Sequence, residues 1–145
     1  MSKSPTYDEF MDTLLAEPNR TFSPFAEYDA DGDCIEFFAK PDPYYAERID
    51  GLLTVYKSQE TDEVVGSHIK GVSHLCKELM GKCPGLRVEI QDGKIHLVHI
   101  LRAKFWLMPR EKQEHAYIYK FLADAADQSK TEVDASPCQE AAVVA

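Results

Sequence analysis

The chain has 145 residues, 25 acidic and 16 basic side chains, and a formal net charge of −9. An acid excess of this size argues against a general nucleic-acid binder, because phosphate contacts supply most non-specific affinity. Apolar content of 44% suffices for one core at this length.

The charge is uneven. Residues 1–33 hold 2 basic and 8 acidic side chains, 121–145 hold 1 and 5, and 82–120 reverse the balance with 8 and 4. No apolar run reaches the ~18 residues of a membrane span, and no basic-then-apolar leader opens the chain, so a cytoplasmic protein without membrane contact is expected. In that compartment Cys34, Cys76, Cys83 and Cys138 stay reduced, and none of them forms a CxxC pair.

Thr6 and Glu9 fit a capping box, and Phe10, Met11, Leu14 and Leu15 make an apolar stripe before Pro18, which predicts an N-terminal helix. Residues 17–26 carry two prolines and no period, so a loop is expected there. A meander follows. Ile35 and Phe37 alternate with Glu36 and Phe38, and Pro41-Asp42-Pro43 interrupts the strand. Tyr45, Glu47 and Ile49 form the next alternating set, closed by Asp50-Gly51, a strong hairpin signal. Leu53 and Val55, then Val65, Ser67 and Ile69, complete it around the polar turn at 57–63. A short central helix over 73–80 has Ser73 as cap and Gly81 as stop.

Beyond Pro84-Gly85, Leu86, Val88 and Ile90 alternate up to Asp92-Gly93, with Ile95 and Leu97 on the return, which predicts a second hairpin. Residues 98–108 fit either strand or helix. Pro109 opens a C-terminal helix over 110–126, with Ile118, Tyr119, Leu122 and Ala126 on one face. Residues 128–145 lack periodicity and read as a disordered acidic tail. The expected fold is therefore α+β: an antiparallel meander of five or six strands with N-terminal, central and C-terminal helices, as one domain over 1–127 with an extension at 82–127.

Several features cluster in the middle of the chain: Tyr28-Asp29 with Asp33 ahead of the apolar CIEFF strand, the Glu47-Arg48-Ile49-Asp50 hairpin, the LLTVYK strand, and Val65-Gly66 with Ile69 leading into a helix. In these features residues 28–75 resemble the small YuzE-like bacterial domains, a family of uncharacterised function. The resemblance covers about a third of the chain and implies a compact α+β meander over about 28–80. It implies no catalytic residues.

Candidate chemistry is sparse. Asp29, Asp31 and Asp33 have the spacing of an EF-hand opening, but Cys34 and Lys40 stand where glycine and the closing glutamate belong, so an Asp/Gly turn is expected. His74, Cys76, Cys83, His96 and His99 do not pair at the spacing of a structural zinc site. Ser67-His68 and Ser73-His74 are neighbours, which a strand points to opposite faces and a helix separates by about 100°. No P-loop, nucleophile elbow or dinucleotide fingerprint is present. The sequence thus names no catalytic residue, cofactor or metal. Tyr44, Tyr45 and Tyr56 with Arg48 form a candidate binding face.

Residues 101–126 carry more apolar side chain than one helix face can hide. Tyr117 and Phe121 lie one turn apart and about 100° from the Ile118–Leu122 row. If one row packs on the sheet, the other is an exposed patch, so Tyr117, Phe121 and Trp106 are the candidate interface. The leading reading is a non-catalytic interaction module, homo-oligomeric or bound to a protein partner. The alternatives are a ligand-binding protein or enzyme with a pocket between sheet and helix, and a nucleic-acid accessory protein using Lys94, Arg102, Lys104, Arg110, Lys112 and Lys120.

Overall fold

A computed structural model describes residues 22–144. The expected N-terminal helix, and the Thr6–Glu9 capping box with it, lie outside the described residues. Five strands, β1 (Phe25–Asp29), β2 (Cys34–Phe38), β3 (Tyr44–Arg48), β4 (Leu53–Ser58) and β5 (Val64–Lys70), form one antiparallel sheet. Helix α1 (Val72–Lys82), a 3₁₀ turn (Pro84–Glu89), β6 (Lys94–His96), α2 (Leu97–Leu107), a second 3₁₀ turn (Arg110–Lys112), α3 (Gln113–Ser129), β7 (Glu132–Asp134) and α4 (Ser136–Val144) follow. The α+β class and the antiparallel sheet agree with the sequence expectation.

The strand order is β1-β2-β5-β4-β3, so β2 pairs with β5 and β3 lies at the far edge. This is a Greek-key order for β2 to β5 and departs from the simple meander. The cause sits in residues 39–43. Three strand spacings amount to about 14 Å, and five extended residues reach about 17 Å. Pro41 and Pro43 hold this link extended across the ends of β5 and β4. Ala39 N donates to Val65 O at 2.7 Å, and Gln59 N donates to Pro43 O at 2.8 Å.

Alternation gives the sheet two unlike faces. Ile35, Phe37, Leu53, Val55 and Ile69 point inward, each at most 1% exposed. They share one core with Leu75 and Leu79 of α1, Leu97 and Ile100 of α2, Leu122 and Ala126 of α3, and Cys138 of α4. Helices α2 and α3 pack as a hairpin, and α4 packs on α1. Tyr119, buried on α3, donates its hydroxyl to Asp50 Oδ2 at 3.0 Å, while Asp50 Oδ1 accepts Leu52 N and Leu53 N at 2.8 Å each. One carboxylate thus shapes the β3–β4 turn and ties α3 to it.

Further expectations differ from the structure. Strand β1 falls where a loop was expected, because Phe25 to Asp29 register on Phe38 to Cys34. The segment expected as the first strand of the second hairpin is the 3₁₀ turn, started by Pro84. Its Val88 is exposed, so the Leu86-Val88-Ile90 alternation buries no face. The Asp92-Gly93 turn itself is present, with φ of 54° and 75°, but β6 pairs with β7 rather than with 86–90. Residues 98–107 are helical, which resolves the strand-or-helix ambiguity. Residues 132–144, expected within a disordered tail, contain β7 and α4, anchored by the buried Val133, Ala135 and Cys138.

Candidate functional site

The outward face of the sheet carries two rows that cross all five strands. Pairing register aligns Phe25, Phe38, Gly66, Tyr56 and Ala46 in one, and Glu27, Glu36, His68, Thr54 and Arg48 in the other. Gly66 is the reason the first row is flat. Phe38 and Tyr56 flank it and stack over its missing side chain, with centroids 5.2 Å apart and planes 4° apart. Tyr44 adds a ring 4.5 Å from Tyr56, and Phe25 one 5.6 Å from Phe38.

Against this aromatic floor sits a three-residue polar network. Tyr56 donates its hydroxyl to Glu36 Oε2 at 2.7 Å, and His68 Nδ1 lies 2.6 Å from Glu36 Oε1. Burial, followed by the hydrogen bond to Glu36, pushes the Tyr56 phenol above its ordinary value, so it stays a donor. Glu36 fixes the His68 ring through Nδ1 and leaves Nε2 as the ring's second site, the arrangement that orients a histidine base. No nucleophile completes a triad from the neighbour in sequence. Ser67 points to the opposite face, fully buried and without a hydrogen-bond partner for Oγ.

The other sequence candidates disperse. Of the tyrosine group, Tyr44 and Tyr56 share the outer face with Arg48, whose Nε donates to Asp50 O at 3.3 Å, while Tyr45 lies on the other face and donates to Asp62 Oδ1 at 2.9 Å. Asp29, Asp31 and Asp33 do form turn chemistry, with Asp29 Oδ1 accepting Asp31 N at 3.0 Å. Asp33 reaches further and caps α1 in place of Ser73, which was expected to be the cap. Ser73 N donates to both its oxygens, at 3.0 and 3.1 Å, and Ser73 Oγ and Tyr28 OH each donate to Oδ1 at 2.8 Å. Burial pushes the Asp33 carboxyl up, but the bonds from Ser73 and Tyr28 outweigh it and hold the group below the ordinary range.

Among the described residues, no three His, Cys, Asp or Glu side chains are placed to hold a metal. The His96 and His99 ring centroids are 6.1 Å apart with the rings edge to face, and His99 Nε2 pairs instead with Glu89 Oε2 at 3.2 Å. A cleft of about 400 Å³ opens there, lined by Glu89, Gln91, Asp92, Lys94, His96 and Glu132. It lies beside β6 and β7 rather than between the five-stranded sheet and the helices. Its three carboxylates surround Lys94, an unfavourable setting for a phosphate. Arg102 and Lys120, two further members of the basic block, have acidic neighbours on α3, Asp127 at 3.7 Å and Asp124 at 3.2 Å.

The helical hairpin presents the remaining candidates. On α3, Tyr119 and Leu122 face the core, which turns Tyr117 (69% exposed) and Phe121 (52%) to solvent. Trp106, 74% exposed, ends α2 at the same end of the hairpin as the start of α3. No helix among the described residues is long and apolar enough to cross a membrane. These features define an α+β protein with a polar network on one sheet face and three exposed aromatic side chains on a helical hairpin. No protein-family model matches the chain, and neither does any curated protein or solved structure.

Proposed function

We propose that the protein is a non-catalytic interaction module that binds a second copy of itself through the α2–α3 hairpin. The observation that carries this reading is the joint exposure of Trp106, Tyr117 and Phe121. Three aromatic side chains exposed to this degree offer about 400 Å² of apolar surface. That is the size at which a patch on a monomer becomes functional, and half of the ~800 Å² per partner in a standard interface. In a two-fold interface both subunits present these anchors, about 800 Å² in total, and the surrounding hairpin surface supplies the rest. The resemblance of residues 28–75 to YuzE-like domains belongs to the same proposal, with the sheet and α1 as scaffold.

Light scattering at high protein concentration tests the assignment. A dimer mass that Tyr117→Glu with Phe121→Glu converts to a folded monomer supports it. A monomer mass for the parent chain removes the self-association reading, and a double variant that stays dimeric moves the interface elsewhere.

One observation favours a second reading, binding of a small ligand at the outer sheet face: the Glu36–His68–Tyr56 network, with hydrogen-bond distances of 2.6 and 2.7 Å. A fragment screen read on the His68 ring resonances tests it. Shifts confined to residues 36, 56 and 68 support a site there, and an unresponsive ring refutes it.

A further inference from the structure

Two cysteines far apart in sequence meet in the helical layer. Cys76 lies on α1 and Cys138 on α4, 62 positions later, with their sulfurs 2.9 Å apart and both residues fully buried. Cys34 lies on β2, while Cys83 lies at the end of α1 and is only half-buried. A disulfide bond brings sulfurs to about 2.05 Å, so this pair is about 0.9 Å from bonding distance. We propose that Cys76 and Cys138 are an oxidation site, forming an intramolecular disulfide that fastens α4 to α1.

The chemistry needs an oxidant, and a low-molecular-weight disulfide such as glutathione disulfide suffices. The two thiols share a hydrogen bond. That bond and burial push the Cys76 thiol up, while the same bond holds Cys138 below its ordinary value. We assign Cys138, on the short helix α4, as the sulfur that attacks the reagent. The attack forms a Cys138–glutathione mixed disulfide and releases one glutathione thiolate. Cys76, once deprotonated, displaces the second and closes the Cys76–Cys138 bond. Two protein thiols and one reagent disulfide become one protein disulfide and two glutathione thiols. Both electrons go to the reagent's sulfurs, and both protons go to its thiolates.

Access comes from the packing of α4, whose main contacts are with α1 and the first 3₁₀ turn rather than with the sheet. Lifting this nine-residue helix from α1 exposes both sulfurs without opening the sheet. Once closed, the bond encloses β6, α2, α3 and β7 in one covalent loop. A loop of this size removes substantial unfolded-state entropy, and the expected rise in Tm is about 10 °C.

The test uses the full chain, equilibrated with glutathione disulfide under native conditions, acid-quenched, alkylated and digested without reduction. The expected result is a Cys76–Cys138 linked peptide, alkylated Cys34 and Cys83, and a Tm about 10 °C above that of the reduced chain. Cys34→Ser with Cys83→Ser is expected to form the same link and show the same shift. A link to Cys34 or Cys83, a link between two chains, a stable mixed disulfide without closure, or four alkylated thiols would each overturn the proposal. Because the peptide map is read on the parent chain, it stands whether or not a Cys138 variant folds.

Discussion

Substituting Gly66 by alanine probes the outer sheet face at its centre. A Cβ added there falls inside contact distance of the Phe37 carbonyl oxygen, and lies 3.1 Å from Phe38 Cδ1 and 3.3 Å from Tyr56 Cδ2. The carbonyl belongs to β2, which is paired to β5 along its length, so it cannot turn away without disturbing the ladder. The two rings can move only by giving up their parallel stack. Overpacking of this kind costs about 1–3 kcal/mol, and the lost ring contact adds about 0.5–1.5 kcal/mol. Restricting the unfolded chain returns about 0.4–1 kcal/mol. The net loss is about 2 kcal/mol, a fall in Tm of about 6–8 °C for a chain of this size. Urea unfolding followed by far-UV and near-UV circular dichroism measures it, with Gly51→Ala as control. Gly51 has nothing within 4 Å of an added Cβ, and its substitution is expected to stay within about 0.5 kcal/mol. An unchanged or raised midpoint for Gly66→Ala would refute the packing described for this row.

Three further outcomes are expected. Asp33→Asn keeps one acceptor for Ser73 but loses the charge, at a cost of about 1 kcal/mol in urea unfolding at pH 7. The Asp33 carboxyl is depressed in the folded state, so its contribution is present above the unfolded value near 3.8 and fades as pH falls through the folded one; parent and variant curves should therefore converge in acid. Tyr119→Phe leaves Asp50 Oδ2 without its 3.0 Å donor and is expected to cost about 1.5 kcal/mol by the same measurement, with the fold retained. At the alkaline end, burial raises the Tyr56 and Tyr119 phenols above 10, so the stability they contribute is held below pH ~10 and lost above it. Spectrophotometric titration should show both ionising only with unfolding, and early reversible ionisation of either would contradict its burial.

Much of the sheet is legible in the sequence because its inner face is strictly apolar. Ile35 with Phe37, Leu53 with Val55, and Ile69 announce three strands by period two, and all five side chains are buried. Strand order is not legible, because the same alternation suits a β2–β3 or a β2–β5 pair. Only Pro41 and Pro43, which hold the link between β2 and β3 extended, favour the longer crossing. Strands β6 and β7 are three residues each and meet across two intervening helices, which no local period reports. The C-terminal elements escape for a related reason. Thr131, Val133 and Ala135 are buried at alternate positions, but a threonine and an alanine beside Glu132 and Asp134 give only a faint apolar period. The Glu36–His68–Tyr56 network fails to appear for want of pairing order, since its members come from three strands that only the fold makes adjacent.

The two aromatic surfaces of the molecule are also of different kinds. On the sheet, Tyr56 has its hydroxyl on Glu36, its ring against Phe38, and Tyr44 beside it at 4.5 Å. Each of these contacts is internal, so the row stabilises the sheet before it could serve a ligand. Phe38 is accordingly 3% exposed. On α3 the balance is reversed. Tyr119 already takes the inward position and the bond to Asp50, and the helix has no second inward face for Tyr117 and Phe121. Helical geometry sets them about 100° from the buried row and in line with each other. Aromatic side chains placed there add nothing to this core, and large exposed apolar patches mark contacts with another molecule. This difference between the surfaces is why we propose the helical hairpin, and not the sheet face, as the interface.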